Sequence, residues 1–184
     1  MRLLTFVLLL FSCIITNNHH IVAEQFHYNY ADSTFDPILK RFEYEAGIRG
    51  HLVDRSHLSV IFGLVRHDKK DKAVGRCHID PMGGAIIKIR SESWVILDEY
   101  QREELVFHEL GHCLMGRGHC SKANNEEPIS IMYPHVLNGR YYKIHREDLV
   151  DELFNISSQC IGDDGHTDEV DGAIYPSSHT DPKR

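Results

Sequence analysis

Three histidines, one glutamate and two cysteines fall within HELGHCLMGRGHC, His108 to Cys120. On a helix, residues four apart stand one above the other, so His108 and His112 present their imidazoles to a shared point. Glu109 is rotated by about 100° around the axis. It can reach a water at that point without occupying a coordination position. This is the H-E-x-x-H arrangement: two ligands for a zinc ion, with a glutamate as general base for hydrolysis. Two ligands hold zinc poorly. A catalytic site normally offers three protein groups and leaves a fourth position open for water.

Three sources could supply the third ligand. His119 can return to the ion if the chain leaves the helix after Met115 and doubles back, a reversal that a left-handed Gly116 permits and Gly118 eases. Glu147 and Asp151 form an E-x-x-x-D pair further on, as in zinc peptidases that use a downstream glutamate. Cys113 and Cys120 are close by, but Cys113 is rotated off the metal face and Cys120 suits a bridge better than ligation. Met132, in SIMYP at residues 130–134, lies thirteen residues beyond His119.

The elements that must position these groups are legible around them. Residues 98–115 read as one long helix. Asp98 with Gln101 gives a capping box, Glu99, Glu103 and Glu104 lie near the positive end of the dipole, and Gly116 suits a left-handed stop. Leu105, Val106, Phe107, Leu110 and Leu114 provide its buried surface. Three apolar segments precede it as strands: 57–65 (HLSVIFGLV), 73–79 (AVGRCHI) and 84–90 (GAIIKIR). DPMGG separates the last two, and AVGRCHI is the expected sheet edge. DPILKRFEYEAG reads as a helix capped by Asp36, with Pro37 at its first helical position and Gly47 as its stop. HREDLVDELF, 145–154, reads as a final helix with an inner stripe of Leu149, Val150, Leu153 and Phe154.

A chain of 184 residues suffices for one domain with its own core. No basic run suggests nucleic acid. The apolar stretch from Leu3 to Ile15 is short for a bilayer span and reads as an export signal. Two processing sites compete. LFSC resembles a bacterial lipobox, which would make Cys13 a lipidated N-terminus and a membrane tether; cleavage after Ala23 would release a soluble chain. Both place the protein outside the cytoplasm, as a secreted, periplasmic or lipid-anchored species. The expected division is a leader and tether over 1–23, a catalytic domain over 24–159 and an acidic, flexible tail over 160–184. The tail's acidic cluster lacks the spacing of a calcium loop. Cys77, Cys113, Cys120 and Cys160 then form an even set, for which disulfides are the expectation in an oxidising compartment, with the pairing open among three alternatives.

Residues from about 60 to 154 resemble the metzincin zinc peptidases, and FHELGHCLMGRGH with SIMYP is similar to small exported bacterial metallopeptidases. The clan's pattern is H-E-x-x-H-x-x-G-x-x-H; here the glycine and the third histidine each fall one residue later. The resemblance implies an α+β fold with a small mixed sheet, an active-site helix and a small C-terminal subdomain. It also implies zinc on His108, His112 and His119, Glu109 as base, and Met132 as the apolar floor of the site. The implied activity is endopeptidase cleavage of a peptide or protein substrate lying along a strand edge, by water activated at the metal, in a monomeric enzyme. Tyr141 or Tyr142 could stabilise the oxyanion, although a tyrosine beyond such a turn more often packs. Two alternatives stand beside it: an exported zinc-binding lipoprotein without turnover, and a gluzincin-like peptidase with Glu147 as third ligand.

Overall fold

The computed structural model describes residues 30–65 and 73–155. The apolar leader with Cys13, the charged segment 66–72, Cys160 and the acidic tail lie outside them. The described chain is α+β. A 3-10 turn, Ser33–Phe35, is capped by Asp32, whose carboxylate accepts the Thr34 N–H at 2.9 Å. It runs directly into α1, Asp36–Ile48. The helical backbone therefore begins upstream of Asp36, which is the first helical residue rather than the cap, as the sequence suggested. Gly47 likewise stays inside the helix, and Gly50, at φ +79°, takes the left-handed turn beyond it.

The three apolar segments become β1, Leu58–Phe62, β2, Gly75–Ile79, and β3, Ala85–Ile89. They form one sheet in the order β1-β3-β2. β1 runs parallel to β3, with Val60 beside Ile87, and β2 runs antiparallel to β3, with Cys77 beside Ile87. β2 thus lies at a sheet edge, as its sequence suggested. Ile87 and Ile89 are fully buried on one face, while Lys88 is half-buried on the other.

A short helix without a strong sequence signal, α2, Ser91–Ile96, follows and buries Trp94 edge-on against Phe35 at 5.1 Å. The long helix α3, Glu99–Met115, has the expected capping box: Asp98 accepts from the Gln101 N–H while Gln101 accepts from the Asp98 N–H. It packs on β2 and β3 to one side and on α1 and α4 to the other, so its middle is buried all round. A two-stranded ribbon, β4 (Ala123–Asn124) with β5 (Glu127–Pro128), turns the chain back beneath the helix. The last helix, α4, Gly139–Phe154, begins six residues earlier than its apolar stripe alone indicates, because Asn138 accepts the N–H groups of Arg140 and Tyr141.

Between α1, α3 and α4 the apolar core is joined by an ionic cluster. Glu103 is buried and takes Arg146 Nε at 2.7 Å, Arg41 and the Tyr142 hydroxyl at 3.1 Å. Glu45 takes Arg146 at 2.7 Å and Arg49 at 2.5 Å. Buried charges persist only when paired in this way. Glu103 was expected to serve the helix dipole at the surface; the helix's full enclosure makes it part of this cluster instead.

Candidate metal centre

His108 and His112 stand on successive turns of α3, with exposures of 1% and 5%. Each ring is held from outside by a carbonyl. His108 Nδ1 donates to the Ile131 oxygen at 2.7 Å, and His112 Nδ1 donates to the Arg117 oxygen at 2.6 Å. A carbonyl can only accept, so in both neutral rings the proton is on Nδ1 and Nε2 carries the lone pair. The two Nε2 atoms face each other at 2.9 Å. Two lone pairs at that distance repel unless a cation lies between them. Protonation does not supply one at His108: burial, reinforced by His112 and His119, holds its pKa well below the usual histidine value. A metal cation held by both rings would. Imidazoles oriented by carbonyls on their outer nitrogen are the usual state of metal-binding histidines.

His119 completes the set. Gly116 is left-handed, at φ +63°, and α3 stops there with Arg117 N–H on the Gly111 oxygen at 3.0 Å. The chain reverses, and Cys120 N–H bonds the Met132 oxygen at 2.7 Å. That contact tucks His119 under the helix, 4% exposed, its ring 4.8 Å from that of His112 and 5.3 Å from that of His108. One nitrogen from each of the three lies within 4.8 Å of the others. Three buried histidines are therefore close enough to bind one metal ion. The left-handed Gly116 ends the helix, and His119 lies within the cluster beyond it. Gly118 is not in the left-handed region among the described glycines.

Glu109 is fully buried, and neither carboxylate oxygen takes a side-chain hydrogen bond among the described residues. Burial pushes its pKa up to about 8, against smaller opposing effects of the Cys77 backbone and Arg76. The carboxylate lies against β2. A Cβ on Gly75 would come within 2.4 Å of Glu109 Oε1, so the strand needs glycine where it passes over the acid. Met132, fully buried, sits on the other side. Its Sδ lies 2.6 Å from where a Cβ on Gly111 would be. Gly111, the residue before His112, is what lets the methionine reach the helix backbone.

The other candidates are elsewhere. Glu147 is largely exposed and bonded to Arg49 and Arg146, and Asp151 bonds Arg49; neither belongs to the histidine group. Cys113 is bonded to Cys77 across 5.6 Å between Cα atoms, which staples α3 to the edge strand; Cys120 is also disulfide-bonded. Neither sulfur is available to a metal. The Tyr141 hydroxyl donates to the Pro128 oxygen at 2.6 Å, and Tyr142 is committed to Glu103.

Several groups that build the site carried no sequence signal. Ile131 and Arg117 act through backbone carbonyls, which any residue has. Gly75 and Gly111 matter through an absent Cβ. Glu104, one turn before His108, is fully buried, and burial first, then Glu109 nearby, pushes its pKa well up against the Leu137 N–H.

No protein-family model, no curated protein and no solved structure matches this chain.

Proposed function

We propose that this chain is an exported zinc-dependent endopeptidase of the metzincin kind. The observation that carries the reading is the pair of Nε2 lone pairs facing each other at 2.9 Å, with a third buried imidazole beside them. Three neutral nitrogens suit zinc, and a three-ligand set is the form that leaves a position for chemistry. A zinc ion bound there would supply Lewis acidity toward a peptide carbonyl.

The chain's own residues supply the rest. Glu109 is a fully buried carboxyl beside the histidines whose oxygens take no side-chain hydrogen bond among the described residues, and a cation on those histidines would favour its ionised form, the form that accepts a proton. It takes the proton of the attacking water and delivers it to the leaving amine. β2 is an edge strand directly over Glu109, so its outer backbone groups can hold an extended peptide by strand addition. Met132 under Gly111 supports the metzincin comparison, as does the reversal that delivers His119. The Cys77–Cys113 disulfide supports an oxidising compartment and hence export. Among the described residues no helix is long and apolar enough to cross a membrane.

The test compares wild type with Glu109→Gln for zinc content and for cleavage of a peptide library. The expected result is equal zinc and a loss of cleavage of at least ~100-fold, the usual scale of general-base catalysis. Zinc in both proteins with cleavage in neither would favour a metal-binding protein without turnover. Cleavage that survives the substitution would remove Glu109 from the mechanism.

A further inference from the structure

The two carbonyls that orient His108 and His112 belong to different segments, and one carboxylate ties those segments together. Arg117, whose oxygen accepts His112 Nδ1–H, turns its side chain inward to the end of α4. There its guanidinium donates to the Leu153 oxygen at 2.6 Å, the Glu152 oxygen at 3.1 Å and the Glu152 carboxylate at 2.5 Å. The other oxygen of that carboxylate accepts the Ser130 hydroxyl at 2.5 Å. Ser130 Oγ in turn accepts the Met132 N–H at 3.0 Å, fixing the turn that contains Ile131, whose oxygen accepts His108 Nδ1–H at 2.7 Å. The side chains of Arg117 and Glu152 are only 10% and 14% exposed, and Ser130 is fully buried.

We infer that Glu152 is a positioning residue for the metal centre: by holding Arg117 and Ser130 on its two oxygens, it sets the spacing of the two carbonyls that aim His108 and His112. This rests on the reading of the three histidines as metal ligands. Glu152 acts through Arg117 and Ser130. The geometry is specific to a carboxylate. One oxygen accepts from a cation and the other from a hydroxyl whose own oxygen takes the Met132 N–H, so an N–H₂ in place of either oxygen faces the cation or forces the hydroxyl to reverse. Glutamine matches the shape but offers one acceptor and one donor, so it must leave either the guanidinium or the hydroxyl facing an N–H₂ group. The carbonyl then shifts on one side only, and the imidazole it holds turns with it. Substitutions behind metal-binding histidines commonly weaken metal affinity by about 10–100-fold.

The experiment measures the zinc dissociation constant by chelator competition for wild type, Glu152→Gln, Ser130→Ala and Glu45→Gln. Visible spectra of the cobalt-loaded proteins are recorded alongside. Glu45 lies in the ionic cluster between α1 and α4 and serves as the control for stability alone. The expected result is a weakening of at least ~10-fold in Glu152→Gln with an altered cobalt spectrum. Ser130→Ala, which removes one arm and keeps the other, should weaken binding less, in the same direction. Glu45→Gln should lower the melting temperature and leave affinity and spectrum unchanged. If Glu152→Gln does not fold, the Ser130→Ala result decides: wild-type affinity and spectrum there overturn the inference. Wild-type affinity in Glu152→Gln, or an equal loss in Glu45→Gln, overturns it too. Absence of zinc binding by wild type overturns the metal-site reading and this inference with it; loss of the role of Glu152 alone leaves that reading intact.

Discussion

At Glu109 the local environment sets the chemistry. Its carboxyl is pushed up to about 8 by burial, whereas in the unfolded chain it has its ordinary value near 4.5. Below about pH 4.5 both states hold the proton and the site has no effect on stability. Between 4.5 and about 8 the unfolded chain ionises and the folded one does not, so folding stability falls as pH rises; above about 8 the full cost is present. The metal-free wild type should therefore lose stability relative to metal-free Glu109→Gln across that window, by up to ~5 kcal/mol. Denaturant titrations at a series of pH values will read this. A difference that does not change with pH contradicts the burial of an ionisable acid. The placement of this residue and of His108 and His112 was legible in the sequence, because helical spacing fixes direction whatever surrounds it. His119 was legible only as one candidate of three, because its approach depends on a loop.

For the elements, the long helix was readable almost to the residue. Its cap, its apolar positions and its left-handed stop are all local signals. What could not be read was its enclosure. Hydrophobic periodicity marks one buried stripe, but α3 is covered by a sheet on one side and two helices on the other, so Glu103 and Glu104 are inside as well. The two glycines that let neighbours close on the helix, Gly75 and Gly111, are legible only from the structure, since they answer to partners distant in sequence. Gly111→Ala puts a methyl 2.6 Å from Met132 Sδ and 3.1 Å from Leu153 Cδ1. Overpacking of this kind typically costs about 1–3 kcal/mol. In a Met132→Ala background the same substitution should cost measurably less, since the sulfur that crowds it is gone. Equal costs in both backgrounds, measured by thermal or denaturant unfolding, would mean the methionine does not press on the helix at that point.

Across the whole molecule, the centre is held from four directions: the helix that carries two histidines, the turn that returns the third, the floor turn with Met132, and α4 through Glu152. The ionic cluster of Glu45, Glu103, Arg41, Arg49 and Arg146 anchors α4 to α1 and α3 on its other side. Arg146→Ala leaves two buried carboxylates with weaker partners and should destabilise the fold by about 3 kcal/mol, since breaking a buried pair from one side is costly. Unfolding free energies measure this, and a change within ~0.5 kcal/mol would show the cluster to be dispensable. The α+β class, the three strands and the edge position of β2 followed from the sequence; this cluster did not, because each of its charges is unremarkable in its own segment. The central claim, one cation on three imidazoles, is tested most directly by zinc-edge X-ray absorption on the loaded wild-type protein. It should show three histidine nitrogens and one further light atom at about 2.0–2.2 Å, with no sulfur near 2.3 Å. A sulfur shell, or fewer than three imidazoles, would contradict it.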